Sequence, residues 1–290
     1  LATALPLAAQ AQGKDPVRVA LITSKSGGFA TMGADVANGI RFAVEEANAR
    51  GGVDGRRVIL AEGDDESTPD AGRRAAEKLS REGHNLIIGP ITSGISLTIS
   101  QNLARWDAAL IGTISKADRL TGDACNTRFI RTNHSDAMDM AMVNDWLKGI
   151  PGNNFAIMAA DYLWGQDSAK AFESAVTAQG KKVALKLMVP MGTKDYAPYI
   201  QQLKAAGVDA IWFADVSGGV NFVKQANDFG LKTPLIGHAL ASNFIINATG
   251  KLLDGTPGNV GYTPDVNSPA SKAFAAAFKA KNGRLPTDTE

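Results

Sequence analysis

The sequence predicts an α/β protein built from two doubly wound parallel-sheet lobes with a ligand cleft between them. Three observations carry this. A near-continuous apolar run, VRVALIT, opens the chain's regular part, as expected of a strand covered on both faces by helices. Short apolar strands then alternate with amphipathic helices, the pattern of a parallel sheet. The alternation begins afresh after His134-Ser135-Asp136, so two similar halves follow one another.

The elements follow in order. The first strand ends in SKSGGFATMG, where Ser24, Ser26 and Thr31 with Gly27, Gly28 and Gly33 let the backbone approach a ligand closely before a long helix. RRVILAEGDD is a second strand, and Pro69 opens the helix DAGRRAAEKLSREG. NLIIG is the third strand, and PITSGISLTISQNLARW passes from turn to helix. DAALIGTIS is the fourth strand, followed by a polar loop that runs to RFIRT. In the second half, Asp136 is placed as the cap of the helix AMDMAMVNDWLKG. The strands NFAIMAAD, KVALKLMVP, DAIWFAD and TPLIG then alternate with the helices GQDSAKAFESAVTAQG, YAPYIQQLKAAG and GGVNFVKQANDFG. The last stretch, GNVGYTPDVNSPASKAFAAAFKAKNGRLP, is read as a return to the first lobe. The expected division is a leader remnant over 1–12, a first lobe over 14–133, a second over 134–258 and an incomplete return over 259–290.

Composition and motifs exclude several functions. Gly28 to Gly33 has the spacing of a phosphate loop but continues Ala34-Asp35 where the lysine should stand, and Gly27-Gly28-Phe29-Ala30 lacks the dinucleotide fingerprint. A formal charge of +1 and the lack of a basic stripe with interleaved aromatics give no reason to expect nucleic acid. His84, His134 and His238 are scattered, so neither a metal nor any other cofactor is expected. Cys125 is the only cysteine, so no intrachain disulfide can form. The sequons at Asn133 and Asn247 are read as chance. LATALPLAAQAQ reads as the end of a secretory signal with Ala9-Gln10-Ala11 as cleavage site, although an Ala-rich tail has the same composition.

SGGFATMG, EEANARGGVDGRRV, EGDDESTPDAG, LIIGPITSG, LIGTIS with LTG, RFIRT, DYLWG, GTKDYAPYIQQLKAAGVDAIWF and FGLKTPLIG occur in that order. Together they resemble the Leu/Ile/Val-binding-protein family of periplasmic solute-binding proteins for ABC importers, over Val17 to Pro286. The resemblance implies a type I periplasmic-binding fold, truncated at its C-terminus, whose lobes close on one small molecule and which a membrane permease then recognises. It implies a periplasmic monomer that catalyses nothing.

It also places the site. Phe29 lies in the first loop. Thr92 and Ser93 stand where a strand turns into a helix, so Ser93 is either a helix cap or a grip on a ligand carboxylate. Ser115 and Lys116 fall where the family's second carboxylate contact lies; Lys116 departs from the family pattern and is either a charge partner for the ligand or a solvated loop lysine. Trp164 and Tyr162, in DYLWG, are where the second lobe lays aromatic rings on the ligand, or else pack the lobe surface. The family's acid for an ammonium group is missing from Gly237-His238-Ala239-Leu240, which leaves His238 there and Asp215 as a substitute acid or a helix cap.

The expected ligand is therefore a small carboxylate with an aromatic or branched apolar body, with branched-chain amino acids as the alternative. An amide or amino-acid sensor shares the fold, but the leader remnant and the lack of a helix-turn-helix favour transport. No nucleophile elbow or paired acid/base motif supports an enzyme, and Asp64-Asp65 reads as a structural turn.

Overall fold

A computed structural model describes residues 14–290; the leader expected over 1–12 lies outside the described residues. The first five strands are β1 (Val17–Thr23), β2 (Val58–Asp64), β3 (Leu86–Ile88), β4 (Ala109–Gly112) and β5 (Phe129–Arg131). They form one parallel sheet in the order β2-β1-β3-β4-β5. Helices α1 (Ala30–Ala49), α2 (Pro69–Arg81) and α3 (Ser93–Ser100) connect the first four. The second sheet holds β6 (Asn154–Ala160), β7 (Lys182–Val189), β8 (Ala210–Ala214) and β9 (Leu235–Ile236), also parallel, in the order β7-β6-β8-β9. Its helices are α4 (Asp136–Gly149), α5 (Leu163–Ala178), α6 (Ala197–Ala206), α7 (Gly219–Asp228) and the short α8 (Asn243–Thr249). A last helix, α9 (Pro269–Asn282), lays Phe274 and Phe278 against Phe42 of α1, with ring centroids 5.9 and 5.3 Å apart.

Each sheet has its own core. In the second, Phe172 of α5 stacks on Trp212 of β8 at 4.7 Å, and Phe222 of α7 on Phe213 at 4.6 Å, so a ring from the helix layer covers each side of the strand. All four rings are fully buried, and burying each such side chain contributes roughly 1.5–3 kcal/mol. In the first, Ile22, Ile87, Ile95 and Leu110 are sealed between α2, α3 and the sheet.

Both sheets reverse their strand order beside the first strand of the lobe: between β1 and β3, and between β6 and β8. In open α/β sheets that reversal parts the connecting loops and leaves a crevice at the strands' carboxyl ends. The helix that follows must start close to the strand end, and two glycines allow it. A Cβ on Gly33 of α1 would strike the Ser24 carbonyl, and one on Gly165 of α5 the Ala160 carbonyl.

Three local expectations are corrected. Strand β4 ends at Gly112, because Thr113 onward leaves the sheet to form the loop that carries Lys116. Helix α3 ends at Ser100, with Gln101 to Asp107 turning back toward β4. Asp136 is not a cap: Ser135 occupies that position, and Asp136 is the first helical residue, buried, with its carboxylate turned inward.

Candidate functional site

The two crevices face each other across a cavity lined from both sheets. The first sheet contributes Phe29 after β1, Ile91, Thr92 and Ser93 after β3, and Ile114 and Lys116 after β4. The second contributes Tyr162 and Trp164 after β6, Val216 after β8, and His238 and Ser242 after β9. Asp288 and Thr289 complete the wall.

Two helix N-termini meet the cavity. Thr92 and Tyr162 hold the N-cap positions of α3 and α5, and neither side chain caps its helix. The first N–H groups of each helix therefore keep their partial positive charge for a guest. The Ser93 hydroxyl oxygen accepts two bonds, from the backbone N–H of Lys116 at 3.2 Å and of Ala117 at 3.1 Å. With its lone pairs engaged, the Ser93 O–H is left to donate. The apolar walls are Phe29, Tyr162 and Trp164, with Phe29 edge-on to Tyr162 at 6.2 Å and Tyr162 tilted on Trp164 at 5.9 Å. Burial holds the Tyr162 phenol well above its ordinary pKa, so it stays neutral.

Behind this lining lies a buried charged cluster. Lys116 is not a solvated loop residue: it is 5% exposed and forms an ion pair with Asp139 of α4. Burial pushes the Lys116 ammonium down and the Asp139 charge pulls it back up. Burial also pushes Asp139 up, but the contacts with His134 and Lys116 outweigh it and hold the carboxyl below its ordinary value. Asp136 lies in the same cluster, where burial raises it well above the usual range; it accepts a hydrogen bond from Trp164 Nε1 at 2.9 Å. That bond fixes the indole's tilt.

His238 lines the cavity beside Trp164, with ring centroids 6.2 Å apart. Its Nδ1 lies 2.6 Å from the Asn259 carbonyl oxygen, which can only accept, so Nδ1 carries the proton. The Lys116 ammonium is the longer contact of the same nitrogen, at 3.1 Å. Burial first and the Lys116 charge second lower this imidazole to a pKa of about 3, so it is neutral. Asp288 accepts from the Asn243 N–H at 3.0 Å, and burial raises its pKa.

Seven of the nine residues expected from the sequence line the cavity: Phe29, Thr92, Ser93, Lys116, Tyr162, Trp164 and His238. Two do not. The Ser115 hydroxyl bonds to Ser96 and to the Pro90 carbonyl at 2.9 Å, which ties the loop after β4 to the end of β3. Asp215 is buried with both oxygens occupied, by Tyr196 O–H at 2.7 Å, Ser217 O–H at 2.8 Å and Gly218 N–H at 2.9 Å. It anchors the start of α7. Sequence reasoning missed Ser242, Asp288, Asp136 and Asp139. The two acids of α4 carried a usable signal: they share the buried stripe Asp136, Asp139, Met140, Val143, Leu147, where an unpaired carboxylate would be costly.

Two facing α/β lobes with a cavity between the loops at their switch points form a protein shaped to take a small solute between them. A family model described as periplasmic binding protein matches residues 16–290, and the chain belongs to that family. A Leu/Ile/Val-binding protein, BraC3, of Rhizobium johnstonii is 29% identical over 269 residues, 92% of this chain and 73% of the relative. An R. palustris solute-binding protein in complex with benzoate superposes with a TM-score of 0.87 at 20% identity, covering 94% of this chain and 76% of that one. The branched-chain amino-acid binding protein LivJ of Streptococcus pneumoniae, in complex with isoleucine, gives 0.84 at 20% identity, over 94% and 79%. The protein is thus a periplasmic binding protein, and not an enzyme. No described helix is long and apolar enough to cross a membrane.

Proposed function

We propose that the protein captures a small carboxylate with an aromatic or branched apolar body and delivers it to the permease of an ABC importer. The uncapped start of α3, with the Ser93 O–H beside it in the cavity, carries this reading. A carboxylate there accepts from backbone N–H groups and from Ser93, and the facing N-terminus of α5 adds to the favourable potential. Phe29, Tyr162 and Trp164 receive the apolar body. Lys116 raises the local potential but acts through its pair with Asp139 and not as a lone countercharge. The lobes that close are 14–133 with 259–290, and 134–258, and the protein works as a periplasmic monomer.

One observation favours the alternative, an α-amino acid: Asp288 in the cavity wall supplies an acid that Asp215 cannot. Calorimetry of matched carboxylates, amino acids and neutral amides decides the matter. The carboxylate reading expects the acid to bind and its amide to bind at least tenfold more weakly, the loss of one to two charge-assisted hydrogen bonds at about 1.5–3 kcal/mol each. Equal binding of acid and amide refutes it. Amino acids that bind tighter than the matched acids, and lose that margin in Asp288→Asn, establish the alternative.

A further inference from the structure

We infer that His238 is a specificity-determining hydrogen-bond acceptor, and that the preferred solute is a hydroxylated carboxylic acid whose O–H points at its Nε2. The inference rests on the carboxylate reading and deepens it. The Asn259 carbonyl oxygen, 2.6 Å from Nδ1 and the shorter of that nitrogen's two polar contacts, assigns the proton to Nδ1, so in a neutral imidazole Nε2 is left with a lone pair and no hydrogen. The ring cannot escape by taking a second proton, because the Lys116 ammonium stands 3.1 Å from Nδ1.

The surroundings agree in polarity. Ser242 lines the same cavity, is 2% exposed, and its hydroxyl has no partner; Asp288 lines it from the next segment. The cavity lining thus offers donors, at α3 and Ser93, and acceptors, at His238 and Asp288. A bare carboxylate on an apolar body satisfies only the donors and leaves Nε2 and Ser242 unpaired. Sites built to hold a hydroxyl discriminate strongly against the analogue that lacks it, because buried polar groups are then stranded. The donor is better neutral than cationic, since Lys116 lies behind the ring and opposes a second positive charge in front of it.

Two series test this by calorimetry: benzoate with 3- and 4-hydroxybenzoate, and 4-methylpentanoate with its 2-hydroxy analogue and leucine. In the wild type the hydroxylated member of at least one series binds about tenfold or more tighter than its parent acid, the worth of one buried hydrogen bond. His238→Asn keeps a donor for Asn259 but removes the acceptor, so the ratio within the series falls to about one; His238→Gln, which places an oxygen near the Nε2 position, keeps most of it. Ratios within one variant are insensitive to how well that variant folds. If carboxylates bind but the hydroxyl adds less than about threefold, or His238→Asn keeps the wild-type ratio, the His238 assignment falls alone. Leucine binding tenfold tighter than the hydroxy acid overturns it too. If no carboxylate of either series binds, the carboxylate reading fails and takes this inference with it.

Discussion

Arg119 and Asp167 join the lobes at a distance from the cavity, and removing that bridge should weaken solute binding although neither residue touches the solute. Arg119 stands in the short turn after β4, and Asp167 in the second turn of α5. The guanidinium Nε lies 3.0 Å from Asp167 Oδ1, Nη2 lies 2.5 Å from the same oxygen, and the Arg119 backbone N–H reaches Oδ2 at 3.2 Å. The Asp167 side chain is 6% exposed and that of Arg119 37%, so water screens the pair from one side only. A charge-assisted hydrogen bond contributes about 1.5–3 kcal/mol, and the exposure of Arg119 places this pair near the lower end. Arg119→Ala should therefore shift the equilibrium between closed and open lobes by roughly tenfold toward open. Where only the closed form holds solute, the apparent affinity falls by up to about the same factor. Calorimetry measures the affinity and small-angle scattering the dimensions of the free protein. The double variant Arg119→Ala/Asp167→Ala should cost less than the sum of the single ones. Affinity within about twofold of wild type with unchanged scattering, or a strictly additive cycle, refutes the latch.

Asp139→Asn strands the Lys116 ammonium, and should cost about 3–5 kcal/mol of stability by chemical denaturation; Lys116→Met added to it should recover most of the loss, because an uncharged pair needs no partner. Ser93→Ala should lower both solute affinity and the stability of the free protein, since its hydroxyl also accepts the N–H groups of Lys116 and Ala117; a loss of affinity with no change in melting would show those two bonds to be idle. Glu62 is held at a pKa of about 2, chiefly by the hydrogen bond from Arg41, against an ordinary 4.5. A lowered carboxyl stabilises the fold above its unfolded pKa and loses that contribution as pH falls through the folded one. Glu62→Gln should thus melt below wild type at pH 7, and the gap should close on acidification between about 4.5 and about 2.

The architecture was legible because it rests on local rules. Apolar runs such as VRVALIT and NFAIMAAD can be satisfied only as covered strands, and the helices between them carry their own punctuation, Thr68-Pro69 at the start of α2 and Gly207 after α6. The loops after β1, β3 and β6 were readable for the same reason, since strand order and glycine placement put them at a crevice. What depends on contacts between distant segments was not. Lys116 in sequence is a lysine in a polar loop; only folding sets Asp139, 23 residues on, against it. Asp215 in sequence is an acid at a strand end with a free carboxylate, and only folding brings Tyr196 to occupy it. Asp288 lies in a turn with no pattern of its own, and its place in the cavity wall follows from the path of the chain after α9.

Asp288 gives the cavity a property that a static list of contacts hides. Its carboxyl is already raised by burial, before any solute arrives. A bound carboxylate brings a second negative charge into the same low-dielectric space and pushes Asp288 further the same way, so that any proton Asp288 gains on capture of an anion comes from solvent. The heat of binding then contains the ionisation enthalpy of the buffer, and its slope across buffers counts those protons. The affinity for an acid correspondingly strengthens as the medium acidifies, with Asp288→Asn flattening the dependence.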